Sequence, residues 1–202
     1  MNVAASAVDA LLTELGTVFA CFGPPQQHSG NRSYGVDASA SALRRLGIAL
    51  PAGTPEAMRL FVKTAGHGSD EGTLPHAVRA RLLRRSARLL RHRHPVLPRC
   101  HGLLESLEGP LQLLDWREGT PLRVEATQRG TVADPAERLR TDERALARAM
   151  DGLLSVHAHL ARHGWVAGDL YDGSLLVDAT SGALTLVDVD LYRLGRHRNA
   201  RR

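Results

Sequence analysis

Apolar positions change their spacing along this chain, and the changes divide it into segments. Val8, Leu11, Leu12 and Leu15 recur at helical spacing and Gly16 closes the run, which predicts a helix over 5–16. Residues 17–22 read as a strand. Residues 28–36 read as a turn between two strands, with Gly30-Asn31 at the tip. Residues 38–58, rich in Ala, Ser, Gly and Pro, predict a surface insertion. The β-branched and aromatic run 59–66 ends at Gly66 and predicts a strand. Thr73 and Pro75 open a helix to about residue 93, with Val78, Leu82, Ser86, Leu89 and Leu90 as its inner stripe. Pro95 and Pro98 end it. Two more strands are expected around 99–104 and 111–116, then a linker over 117–121.

The second half reads differently. Asp134-Pro135-Ala136-Glu137 has a capping side chain, a proline in the first turn and an acid soon after, a good helix start. A long helix over 142–163 places Leu146, Met150, Leu153, Leu154, His157, Leu160 and Ala161 on one face, with Gly164 as its C-terminal cap. Two short apolar strands, 175–177 and 184–187, flank a Ser181-Gly182 turn. The order predicts an α+β chain: a sheet-plus-helix lobe over 1–118, a smaller lobe over 119–195 and a basic tail over 196–202.

Composition narrows the class. The chain has 202 residues, 43% hydrophobic and 23% charged, enough for a core that needs no covalent staples. Two cysteines, Cys21 and Cys100, are too few for a disulfide framework, which points to a reducing cytoplasm. Asp9 and Glu14 interrupt the N-terminal apolar positions, so a signal peptide is not expected, and no run is long enough for a membrane span.

The net charge of +5 is local. Residues 79–99 hold eight arginines and no acid, and residues 193–202 hold five more and no acid, leaving 13 basic and 21 acidic groups elsewhere. No aromatics interleave with the arginines to stack on bases, so a solvated helix face is expected there rather than a nucleic-acid surface. Of the 26 basic residues, 25 are arginine and one, Lys63, is lysine. A lone lysine at the end of a strand marks a place where a compact ammonium on a flexible stem suits the chemistry better than a guanidinium.

Lys63, Asp169, Asp172 with Ser174, and Asp188 with Asp190 all sit at element ends beside apolar strands. A hairpin between Asp169 and Asp188 returns the second carboxylate close to the first. Two carboxylates meeting in this way need a cation, a shared proton or opposed roles, and a magnesium nucleotide supplies the cation.

At these residues the sequence resembles the protein-kinase-like family, including aminoglycoside-type phosphotransferases, from about residue 26 to residue 195. The resemblance implies a two-lobed fold, with an antiparallel sheet plus helix in the N-lobe and an incomplete C-lobe. Phe61-Val62-Lys63 resembles the third strand, whose lysine contacts the nucleotide phosphates. Asp169 resembles the catalytic-loop aspartate, which accepts or orients the acceptor hydroxyl. Asp188-Val189-Asp190 resembles the metal-binding triad, with Ser174 and Asp172 as further magnesium ligands. Ser29-Gly30-Asn31-Arg32-Ser33 would be the phosphate-covering turn, in which Gly30, Asn31 and Ser33 touch the nucleotide. Asp115 and Trp116 would hold the adenine through the backbone.

The function this implies is ATP- and Mg2+-dependent transfer of the γ-phosphoryl group to a hydroxyl of a protein or small molecule, without a membrane or nucleic-acid partner. Several features set this chain apart, among them Tyr171 where protein kinases have lysine, the lack of a full glycine triplet, and Asp190 in place of glycine. Ser174 stands where the family has asparagine, the helix after Lys63 has no acid from residue 76 to 93, and Gly168 precedes Asp169. These open two alternatives, a small-molecule phosphotransferase and a pseudokinase that binds without turnover. Only 12 residues follow Asp190, where the family continues with further helices, so a truncated or frameshifted copy is expected.

Overall fold

The computed structural model describes residues 7–23, 29–66, 72–122, 135–178 and 181–195. It has two compact units. Met1–Arg88 with Arg99–Trp116 form the first, and Leu89–Pro98 with Arg117–Arg202 form the second.

The first unit is built on a five-stranded antiparallel sheet, ordered β1-β2-β3-β5-β4. Its strands are β1 (Gly16–Phe22), β2 (Arg32–Ser39), β3 (Ala57–Thr64), β4 (Cys100–Ser106) and β5 (Gly109–Asp115). Side chains alternate between the two faces of a strand. On one face Tyr34, Val36, Leu60, Val62, Leu111 and Leu113 pack with Leu11, Leu12 and Leu15 of helix α1 (Val8–Leu15) and with Leu43 of α2 (Ala40–Arg45) in a single core. The expected surface insertion therefore carries part of this core. Ser39 caps α2 by accepting from Ala42 N at 3.0 Å, and Leu43 and Ile48 are buried behind it. The opposite face presents Ser33, Gly35, Arg59, Phe61, Lys63, Gln112 and Leu114, as the register requires.

Helix α3 (His76–Leu89) covers part of that second face. It is four residues shorter at its C-terminal end than expected. Gln112 donates to Ser86 Oγ at 3.1 Å, and Ala80 and Leu83 pack with Ala65. The outer arginines are solvated as expected, and Arg84 forms a two-pronged pair with Glu105 at 3.0 and 2.6 Å. Arg79 is the exception, a fully buried guanidinium.

The second unit centres on helix α5 (Glu143–Arg162), preceded by α4 (Pro135–Thr141). Asp142 caps α5 by accepting from the N–H groups of Arg144 and Ala145 at 3.0 Å. The expected apolar stripe holds at Leu160 and is corrected elsewhere, Ala161 included, which is exposed. Ala145, Ala149, Val156 and Leu160 are buried, whereas Leu146, Met150 and Leu154 are exposed. The reason is close approach: a Cβ on Gly182, at the tip of the next hairpin, would stand 2.6 Å from the Ala145 Cβ. Only the small-residue side of α5 admits the hairpin backbone at that distance.

The remaining strands are β6 (Thr120–Pro121), β7 (Trp165–Val166), β8 (Leu175–Val177), β9 (Leu184–Leu186) and β10 (Arg193–Leu194). β8 lies between β6 and β9 in one antiparallel sheet, and β7 pairs with β10 in another. No helix among the described residues is long and apolar enough to cross a membrane. The basic tail over 196–202 lies outside the described residues.

Candidate functional site

In the first unit Lys63 projects from β3 between Ser33 of β2 and Gln112 of β5, its register partners. It is 9% exposed. Phe61 stands two residues earlier on the same face, between Gly35 and Leu114. The turn expected to cover phosphates is folded inward. Gly30 is left-handed (φ +82°), and a side chain there would strike the Arg79 guanidinium 1.7 Å away. Gly72 approaches the same turn so closely that its Cβ would lie 2.8 Å from Gly30 Cα. Arg79 Nη1 reaches Ser29 O at 3.5 Å, and Asn31 and Ser33 are buried. Sequence reasoning missed Arg79 because it is one arginine in a run of eight.

The backbone donors of the expected adenine edge are engaged inside the sheet. Asp115 N donates to Arg99 O at 2.9 Å, and Trp116 N donates to Arg59 O at 3.1 Å. The Asp115 carboxylate lies 2.6 Å from Nε2 of buried His101. What Trp116 can offer a ligand is its ring, which stands among Phe19, Phe22 and Phe61 with centroids 4.9–6.4 Å away. An open cavity of about 620 Å³ in this unit is lined by residues such as Glu14, Asp37, Glu56 and Arg59; Lys63 is not in its wall.

The second unit carries the acidic residues on two segments held between paired strands. β7 pairs with β10 in the register Val166↔Arg193, and β8 pairs with β9 in the register Leu175↔Leu186. The intervening segments, 167–174 and 187–192, are thus clipped at both ends and run side by side. Contacts among the described residues tie them. Val187 N donates to Ser174 O at 2.9 Å, the Tyr171 hydroxyl donates to Asp188 Oδ2 at 3.4 Å, and Gly168 rests on the Leu191 carbonyl, where a Cβ would come within 2.1 Å.

Asp169 is exposed on the first segment and Asp188 half-buried on the second. Asp172 is exposed and accepts from Gly173 N at 3.0 Å. Asp190 is buried. The Ser174 side chain is 0% exposed, and its Oγ has no hydrogen-bond partner among the described residues. A buried hydroxyl without a partner is uncommon, and it fits a place where an external cation or donor binds. No group of three or more His, Cys, Asp or Glu among the described residues could by itself hold a metal, so the expected four-residue set is not a closed cage. Magnesium does not need one, since it keeps several waters and takes one or two carboxylates plus substrate phosphates.

His157 is a satisfied interior residue, as its place on the long helix suggests. Its Nδ1 donates to Leu153 O and its Nε2 accepts from the Tyr192 hydroxyl, each at 2.8 Å. Burial, and then the nearby Asp188 charge, push the Tyr192 hydroxyl well above the usual phenol range, so it stays a donor and locks the segment after Asp188 to α5.

Four other histidines form a row in this unit. His92 and His163 have ring centroids 4.1 Å apart, His163 and His159 4.7 Å, and His159 and His94 5.3 Å. Burial, then His163 and His159, hold His92 below the ordinary histidine value; burial, then His159 and Arg162, do the same for His94. The folded chain therefore resists protons that the unfolded chain takes up near pH 6.5, and stability falls as pH drops below about that value. Melting curves across this range should show the fall, and His92→Gln should make it shallower.

No protein-family model matches the chain, and no characterised protein matches its sequence.

Proposed function

We propose that the chain is a kinase-like phosphotransferase that moves the terminal phosphoryl group of a nucleoside triphosphate to a hydroxyl. The observation that carries this reading is the pair of clipped segments, 167–174 bearing Asp169 and 187–192 bearing Asp188, with the buried Ser174 hydroxyl at the end of the first. Lys63, on its own unit, supplies the single ammonium for phosphate oxygens. Asp169 is an exposed carboxylate on the loop after β7, and accepts the acceptor's proton as the acceptor oxygen bonds to phosphorus and the phosphorus–oxygen bond to the diphosphate breaks. Asp188 with Ser174 or Asp172 would hold magnesium, which when bound offsets charge on the phosphoryl oxygens. The fold supports two units of mixed helix and sheet; the two-lobed kinase-like arrangement is part of the proposal.

A second reading, nucleotide binding without turnover, is favoured by one observation. α3 buries a guanidinium, Arg79, on a helix that carries no acid from His76 onward. The test is transfer of the labelled terminal phosphoryl group from ATP to the chain or to an added hydroxyl compound. Label in an acceptor supports transfer; ATP that binds and is never consumed supports the second reading.

A further inference from the structure

The face of the sheet that carries Lys63 also carries an aromatic patch. Phe22, Phe61 and Trp116 form a near-equilateral triangle, with centroid separations of 6.1, 6.2 and 6.4 Å. Phe19 meets Trp116 edge-on at 4.9 Å. All three phenylalanines of the chain and one of its two tryptophans are in this patch. Gly35 is its floor. A Cβ there would press to 2.6 Å on the Phe19 ring and 3.0 Å on Trp116, so only glycine lets the rings lie down on β2. Phe19, Phe22, Phe61 and Trp116 are all at least partly exposed. Phe61 and Lys63 are two residues apart on one strand face of this unit, about 7 Å along the chain.

We infer that this patch is the base-binding surface of the nucleotide site, and that it holds the base by stacking rather than by reading its edge. The inference rests on the nucleotide reading proposed above. It adds a specificity. The N–H groups of Asp115 and Trp116, which could read a base edge, are already engaged within the sheet. Stacking accepts any base because every base has a π-face. The chain therefore takes purine nucleoside triphosphates with little preference between adenine and guanine.

The experiment uses the full chain carrying Trp165→Phe, which leaves Trp116 as its only tryptophan. ATP, GTP and inorganic tripolyphosphate are titrated with Mg2+, following Trp116 emission and binding heat. The expected result is saturable quenching by ATP and GTP, with dissociation constants within about tenfold of each other, and binding of tripolyphosphate without quenching. Phe61→Leu keeps the apolar bulk and removes the π-face. It should weaken ATP by roughly fivefold to a hundredfold and leave tripolyphosphate unchanged, which also shows that the variant is folded. Phe22→Leu serves if that variant does not fold. ATP binding with unchanged Trp116 emission and unchanged affinity in the folded leucine variant overturns stacking while the nucleotide reading stands. A preference for ATP over GTP beyond a hundredfold overturns the lack of edge reading. Binding by none of the three ligands overturns the nucleotide reading, and stacking with it.

Discussion

Asp169→Asn is expected to lower phosphoryl transfer by roughly 10²- to 10⁴-fold, the range of a positioned general base. Nucleotide affinity should change little. The carboxylate lies exposed on the loop between β7 and the turn Asp172–Ser174, and no hydrogen bond to its side chain holds that loop among the described contacts. The amide keeps the shape and removes the proton-accepting charge, so binding and turnover separate. Rate at saturating ATP, measured beside the ATP dissociation constant, checks this. Equal loss in both would place Asp169 in binding rather than in transfer.

The second large effect is expected at the residue before it. Gly168→Ala puts a methyl group 2.1 Å from the Leu191 carbonyl oxygen. That neighbour is backbone, fixed because β10 begins two residues later and is paired to β7. Neither side can yield cheaply, so the segments bearing Asp169 and Asp188 must part. Overpacking of this kind costs about 1–3 kcal/mol, which lowers Tm by several degrees in a chain of this size. On the proposed reading, transfer should fall further than stability does, because the segments that carry the two carboxylates are pushed apart. Gly23→Ala is the control. Its Cβ would meet only the flexible Arg32 side chain, at 3.8 Å. Thermal melts and transfer rates on both variants check the contrast.

The strand and helix sequence of the fold was legible because periodicity reports burial directly. β1, β3 and β5, α1 and the β8–β9 hairpin all lie within a few residues of their expected places. Residues 38–58 misled because alanine and serine read as polar linker, although Ser39, Leu43 and Ile48 are a cap and a core in sequence order. The stripe of α5 was misplaced in part, with Leu160 buried as expected, because hydrophobicity favours Leu146, Met150 and Leu154. The contact with Gly182 selects for smallness, which a hydropathy pattern does not record.

Lys63, Asp169 and Asp188 were singled out by rarity and spacing, as residues of the proposed site. Arg79 was hidden among its neighbours. The aromatic patch was hidden because its members come from two strands, β1 and β3, and the edge after β5, and only the pairing of both strands with β2 brings them together. The use of the Asp115 and Trp116 N–H groups within the sheet could not be read from residue identity, because every residue but proline carries that donor.

The central claim is that Lys63 holds a magnesium-bound triphosphate, and nucleotide-dependent melting of the full chain tests it most directly. At ATP about a hundredfold above its dissociation constant, with Mg2+, the Tm of the unaltered chain should rise by roughly 5–10 °C, and Lys63→Ala should lose most of that rise. An unaltered chain whose Tm does not move in millimolar Mg2+–ATP, or a Lys63→Ala variant that keeps the full rise, contradicts it.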